Sequence, residues 1–96
     1  MAKQKLGVRS ARFDSAAFER AFLAADYDRC REIVAAAPPS DAVALALSRV
    51  DLRDGRGVDV VERLADVRPA DARLRAERDI WLGAAYASTG DADSAL

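Results

Sequence analysis

Three short breaks divide this chain at similar intervals: Ala25-Asp26-Tyr27, Asp54-Gly55-Arg56 and Thr89-Gly90-Asp91. From Ala25 to Gly55 is 30 residues, and from Gly55 to Gly90 is 35. A proline closes the segment after each of the first two breaks, at Pro38-Pro39 and at Pro69. Proline lacks a backbone N–H and restricts the residue before it, so it ends a helix. A period in the thirties made of two segments and a proline exit describes helix pairs. No stretch alternates apolar and polar residues for long enough to form a half-buried strand, and alanine, the best helix former, dominates the composition. The fold class that follows is all-α: antiparallel helix pairs stacked as a short right-handed solenoid, with about five helices and an incomplete sixth.

Local signals place the helices. Asp14 is an N-cap, with Phe13 and Phe18 positioned as a hydrophobic staple. Phe18, Ala21, Phe22 and Ala25 then share one face. A second helix is expected over 27–37, with Tyr27, Cys30, Ile33, Val34 and Ala37 inward. Ser40 caps a third over 41–53, whose stripe is Val43, Ala44, Leu47, Val50 and Leu52. A fourth over 58–67 turns Val60, Val61, Leu64 and Val67 inward. The fifth, over 70–88, offers Leu74, Trp81, Leu82, Ala85 and Tyr86. Residues 92–96 read as the first turn of a sixth helix. Five residues do not hold a helix by themselves. The pattern therefore predicts a repeat domain over 13–96 that is truncated at its C-terminal end. Residues 1–12 carry Lys3, Lys5, Arg9 and Arg12 with no acidic residue, and read as a basic flexible arm.

The segment Trp81-Leu82-Gly83-Ala84-Ala85-Tyr86-Ala87-Ser88-Thr89-Gly90-Asp91, with Ala95-Leu96, resembles the opening of a tetratricopeptide repeat (TPR). Leu82, Gly83, Tyr86, Gly90, Asp91 and Ala95 stand at the pattern's positions. Asp79 stands where the repeat carries its tryptophan, so Trp81 is out of register. The earlier units depart further, with Phe18, Ala21 and Cys30 in the first and Ser48 and Asp51 in the second. The resemblance implies that Gly83 admits a neighbouring helix, that Tyr86 fills the gap inside a pair, and that Ala95 lets the second helix cross closely. It also implies a TPR-like scaffold of the kind found in bacterial LuxR-type transcriptional regulators.

Composition removes several function classes. The chain has no histidine, which excludes Ser-His-Asp and Cys-His catalysis and histidine metal ligation. The single cysteine, Cys30, forms no internal disulfide and no multi-cysteine zinc site. Its place on an inner helix face reads as an inert buried thiol despite Arg29 and Arg31 beside it. Asp26, Asp28 and Glu32, and Asp51 with Asp54, lack the spacing of a calcium loop and read as caps and solvated charges. Gly55-Arg56-Gly57 lacks the residues of a phosphate loop and reads as a turn. A net charge of −1 argues against a dedicated nucleic-acid or membrane-surface binder.

No catalytic, cofactor-binding or metal-binding residue is expected, and no cofactor. The expected function is a non-catalytic protein–protein interaction scaffold, cytoplasmic, within a larger bacterial regulatory protein. Its partner is a protein or peptide, met on a concave face that includes Arg73, Arg75, Arg78 and Trp81. Asp71 and Arg75 are spaced as a helical ion pair, the alternative use of those arginines. Three other readings stay open. The chain is the sensor region of a helix-turn-helix regulator whose DNA-binding part lies beyond residue 96. It is a fragment of an enzyme with its chemistry elsewhere. Or it self-associates through Tyr86, Ala95 and Leu96 at its C-terminal end.

Overall fold

A computed structural model describes residues 12–89, which form an all-α fold. The expectations for residues 1–11, for Gly90, Asp91 and Ala95, and for the sixth helix lie outside the described residues. Five helices follow one another: α1 (Ser15–Leu23), α2 (Tyr27–Ala36), α3 (Asp41–Arg53), α4 (Gly57–Ala65) and α5 (Ala72–Ser88). Their starts are set by side-chain caps. Asp14, Asp26, Ser40 and Asp71 each accept from a backbone N–H of the following turn, meeting donors the helix itself cannot satisfy. Arg56 stands at the cap of α4 and gives no such bond.

The first two breaks are the same structure. After α1, the N–H of Asp26 donates to Ala21 O at 2.9 Å and that of Ala25 to Phe22 O at 3.0 Å. After α3, Arg56 donates to Asp51 O at 2.8 Å and Gly55 to Leu52 O at 3.2 Å. Both are Schellman motifs, whose outer residue takes a left-handed backbone. Gly55 does so at φ 77°, and Ala25 does so at φ 58° although it carries a Cβ. The 30-residue offset extends to burial. Phe18, Ala21, Cys30 and Val34 are buried, and so are Ser48, Asp51, Val60 and Leu64, each thirty positions on.

Contacts run in order along the chain, from α1 to α2, α2 to α3, α3 to α4 and α4 to α5, with α5 also returning to α3. Two apolar clusters result. Phe18, Ala21, Cys30, Ile33, Val34, Val43, Ala46 and Val50 join α1, α2 and α3. Leu45, Val60, Leu64 and Ala85 join α3, α4 and α5. The helix α3 is thus buried on two sides, and its core is wider than the single stripe expected from the sequence. Leu45, Ala46, Ser48 and Asp51 are buried, whereas Ala44, Leu47 and Leu52 are only partly so. The reason is position: α3 has α1 and α2 on one flank and α4 and α5 on the other, and one apolar stripe serves one flank.

Gly57 makes a close approach that its place in a turn sequence did not signal. A Cβ on Gly57 would stand 2.2 Å from Ser88 Oγ and 3.2 Å from Ala85 O, so this glycine lets α4 close onto the end of α5. A Cβ on Gly83 would meet nothing within 4 Å among the described residues, so no described helix makes the close approach the resemblance implies there.

Candidate interaction groove

The helices α1, α3 and α5 each turn one face toward a shared groove. At its wider end a cavity of 390 Å³ is lined by Phe22 of α1, Arg49, Leu52 and Arg53 of α3, and Trp81, Ala84 and Ser88 of α5. These are residues of the C-terminal halves of the three helices. A smaller cavity of 130 Å³ lies at their N-terminal halves, among Ser15, Glu19, Leu45, Arg73 and Glu77. Arg49 lines both, so the two spaces adjoin at its side chain.

Arg49 is fixed from several sides. Its guanidinium forms a two-pronged pair with Glu19, with Nη2 donating to Oε1 at 3.0 Å. Its centre lies 4.4 Å from the Phe22 ring centroid, 5.6 Å from that of Phe18 and 5.9 Å from that of Trp81. A cation among three ring faces is held by their quadrupoles as well as by its counter-ion. The Arg49 hydrogen bond holds the Glu19 carboxyl below its ordinary value, outweighing the opposing effect of burial. The same bond raises Arg49. Arg53, one helical turn on, is exposed, lies 5.6 Å from the Phe22 centroid, and has no ion pair among the described residues. Among the described residues no carboxylate lines the wider cavity.

A second polar cluster sits under the helix pairs. Asp51 is 2% exposed and binds Arg63 of α4, whose Nη2 donates to Oδ2 at 2.7 Å. Arg31 of α2 approaches the other oxygen at 2.9 Å and also pairs with Asp54. Arg63 Nη1 donates to Ser48 Oγ at 3.1 Å, while that hydroxyl donates to Ala44 O at 2.8 Å. These contacts tie α2, α3 and α4 together. By the 30-residue offset they occupy the places of Phe18, Ala21 and Ile33 in the first pair. A polar set has replaced an apolar one, and the buried Asp51 is compensated by two guanidinium groups, by a hydrogen bond from Arg63 and by ion-pair contact alone from Arg31.

The structure disperses the arginines of the expected partner face. Arg78 donates through Nε to Leu64 O at 3.1 Å and through Nη2 to Ala65 O at 3.3 Å, so it closes the C-terminal end of α4. Arg75 donates to Pro69 O and Ala70 O at 3.2 and 2.6 Å. Its expected pairing with Asp71 is not made, because that carboxylate caps α5 through the N–H groups of Arg73 and Leu74. Arg73 is exposed beside the smaller cavity. Trp81 alone of the four reaches the wider one. Leu82 packs on the second cluster, and Tyr86 borders a cavity with Val58 and Val61 of α4.

Phe22, Arg49 and Arg53 were not among the expected face. The available signal was the four-residue spacing of Arg49 and Arg53, which puts both on one side of α3. Cys30 is fully buried with Sγ 3.9 Å from Phe18 O, and burial, then Asp26, pushes its thiol up. It stays protonated at neutral pH and is no nucleophile. Among the described residues no group of three His, Cys, Asp or Glu side chains is placed to hold a metal ion. No helix there is long and apolar enough to cross a membrane. No family model, curated protein or solved structure matches this chain.

Proposed function

We propose that this chain is a non-catalytic protein-interaction module of TPR-like helix pairs stacked as a solenoid, and that it receives a peptide or partner segment in the groove between α1, α3 and α5. The observation that carries this reading is the division of labour among the helices. Alternate helices supply every side chain of the wider cavity, while α2 and α4 supply none. The contact order supports the stacked arrangement, since successive helices meet in turn and α5 packs chiefly on α4 and α3. In a solenoid, the first helix of each pair lines the concave side. Phe22, Trp81 and two arginines belong to the residue types that dominate binding energy at interfaces.

Selection of a random peptide display library against the purified protein tests the proposal. Enriched peptides should lose binding on Phe22→Ala or Ala84→Glu, and keep it on Glu62→Ala, which lies outside the groove. Enrichment that responds only to Glu62→Ala, or no enrichment by a protein shown to be folded, would overturn it.

A further inference from the structure

Beyond the presence of a docking groove, its wall specifies the chemistry of the guest. We infer that the wider cavity takes an acidic peptide segment in which an aromatic or aliphatic side chain lies next to a carboxylate. This rests on the reading of the groove as an interaction surface and adds the class of ligand.

Charge carries the inference. Among the described residues the cavity wall contains two guanidinium groups and no carboxylate. One of the two, Arg49, is already neutralised by Glu19 and immobilised among rings. The other, Arg53, is exposed and has no acidic partner among the described residues. An exposed arginine on a helix surface is ordinarily unremarked, but this one borders an apolar cavity whose walls are Phe22, Leu52, Trp81 and Ala84. An apolar side chain entering the cavity is brought within reach of the Arg53 guanidinium at its rim. A carboxylate on the adjacent residue then forms a charge-assisted bond there. A basic segment meets the uncompensated charge of Arg53 and is rejected, which is as much a part of specificity as the attraction.

The volume agrees with such a guest. At 390 Å³ the cavity lies near the low end of the range for ligand pockets, about 300–1,000 Å³. It suits one large side chain with its flanking backbone rather than a whole helix. The smaller cavity is mixed in charge, with Glu19 and Glu77 against Arg49 and Arg73, and so adds no preference for either sign.

Trp81 is the only tryptophan, so its fluorescence reports occupancy of the cavity directly. The probes are the blocked peptide acetyl-DDFLDD-amide, its amide twin acetyl-NNFLNN-amide and its basic twin acetyl-KKFLKK-amide. The acidic peptide should change Trp81 emission saturably and bind at least roughly tenfold tighter than either twin, with affinity falling as salt rises. Arg53→Gln should weaken it by roughly five- to tenfold, and Ala84→Glu should abolish it, with helical circular dichroism unchanged in both. Equal binding of the amide twin, or undiminished binding to Arg53→Gln, overturns the acidic assignment and leaves the groove standing as an apolar docking site. Preference for the basic twin does the same. Silence with all three peptides up to about 1 mM overturns both the assignment and the groove itself.

Discussion

At the scale of single residues, two positions report most directly on how this chain is held. Ala25 occupies the left-handed place that Gly55 fills thirty residues later, at φ 58°. An L-residue there carries roughly 1–2 kcal/mol of strain, partly offset because alanine restricts the unfolded chain more than glycine does. Ala25→Gly should therefore stabilise the protein, by about 0.5–1 kcal/mol, read from the midpoint of urea unfolding at unchanged slope. Gly55→Ala should do the opposite. Glu19 is the second position. Its carboxyl titrates below its ordinary value, near 4.5, because of the Arg49 hydrogen bond. The folded state thus binds this proton less readily than the unfolded chain. The contribution of the pair is present above about pH 4.5 and is lost as pH falls through the lower folded-state value. Thermal melts between pH 7 and pH 3 should show a steeper fall for the native chain than for Glu19→Gln. Parallel curves would mean the pair contributes nothing, as many surface pairs do.

The helix pair is the next scale, and the two complete pairs differ instructively. Phe18, Ala21 and Ile33 fill the first, while Ser48, Asp51 and Arg63 stand at the same places in the second. Removing one member of a buried charged set leaves its partner uncompensated, whereas removing both and filling the space can be neutral. Asp51→Ala should cost about 2–3 kcal/mol, less than a fully buried pair because Arg31 and Arg63 both retain some contact with solvent. The double change Asp51→Ala/Arg63→Ile copies the first pair and should recover all but about 1 kcal/mol of that loss. Ser48 stays satisfied through Ala44 O, and Arg31 keeps Asp54. A double variant as unstable as the sum of its singles would show that the two pairs are not equivalent. The TPR-like pattern draws attention to the opposite end of the chain, at Gly83 and Tyr86. The 30-residue repetition is instead clearest at the turns and at the buried positions of α1 to α4.

For the whole molecule, the order of contacts sets how stability is distributed. Among the described residues α3 buries side chains of both apolar clusters. By contrast α5 buries Ala85 alone among the described residues and leaves Ile80 exposed. Local opening follows the density of buried apolar contacts. Amide hydrogen exchange should therefore be slowest across 43–50 and much faster along α5, so that the groove is bounded by one rigid wall and one that opens readily. Uniform protection across the five helices would contradict this and point to a single cooperative core. A ligand that seats Trp81 should slow exchange in α5 more than in α3, because it adds contacts where few exist.

Two of the caps, the prolines and the turn at Gly55 were legible in the sequence because each joins residues at most five apart, and their chemistry is complete within that span. Asp14 and Ser40 therefore mark their helix starts without any knowledge of neighbours, whereas Asp71, spaced as an ion-pair partner of Arg75, gave no sign that it caps α5. The inert thiol of Cys30 was legible as well, from its place on an inner face. What surrounds α3 was not. Leu45 and Ala46 turn to different clusters, and a single-face pattern carries no sign that a helix has two flanks. Nor could spacing decide which arginines are spent on structure. Arg78 is consumed by carbonyls 13 and 14 residues away, and Arg49 by a carboxylate 30 residues away, while Arg53 is left over. Whether a charge is bound or available depends on groups far off in the chain, and only the packing of α1, α3, α4 and α5 brings those groups within a hydrogen bond.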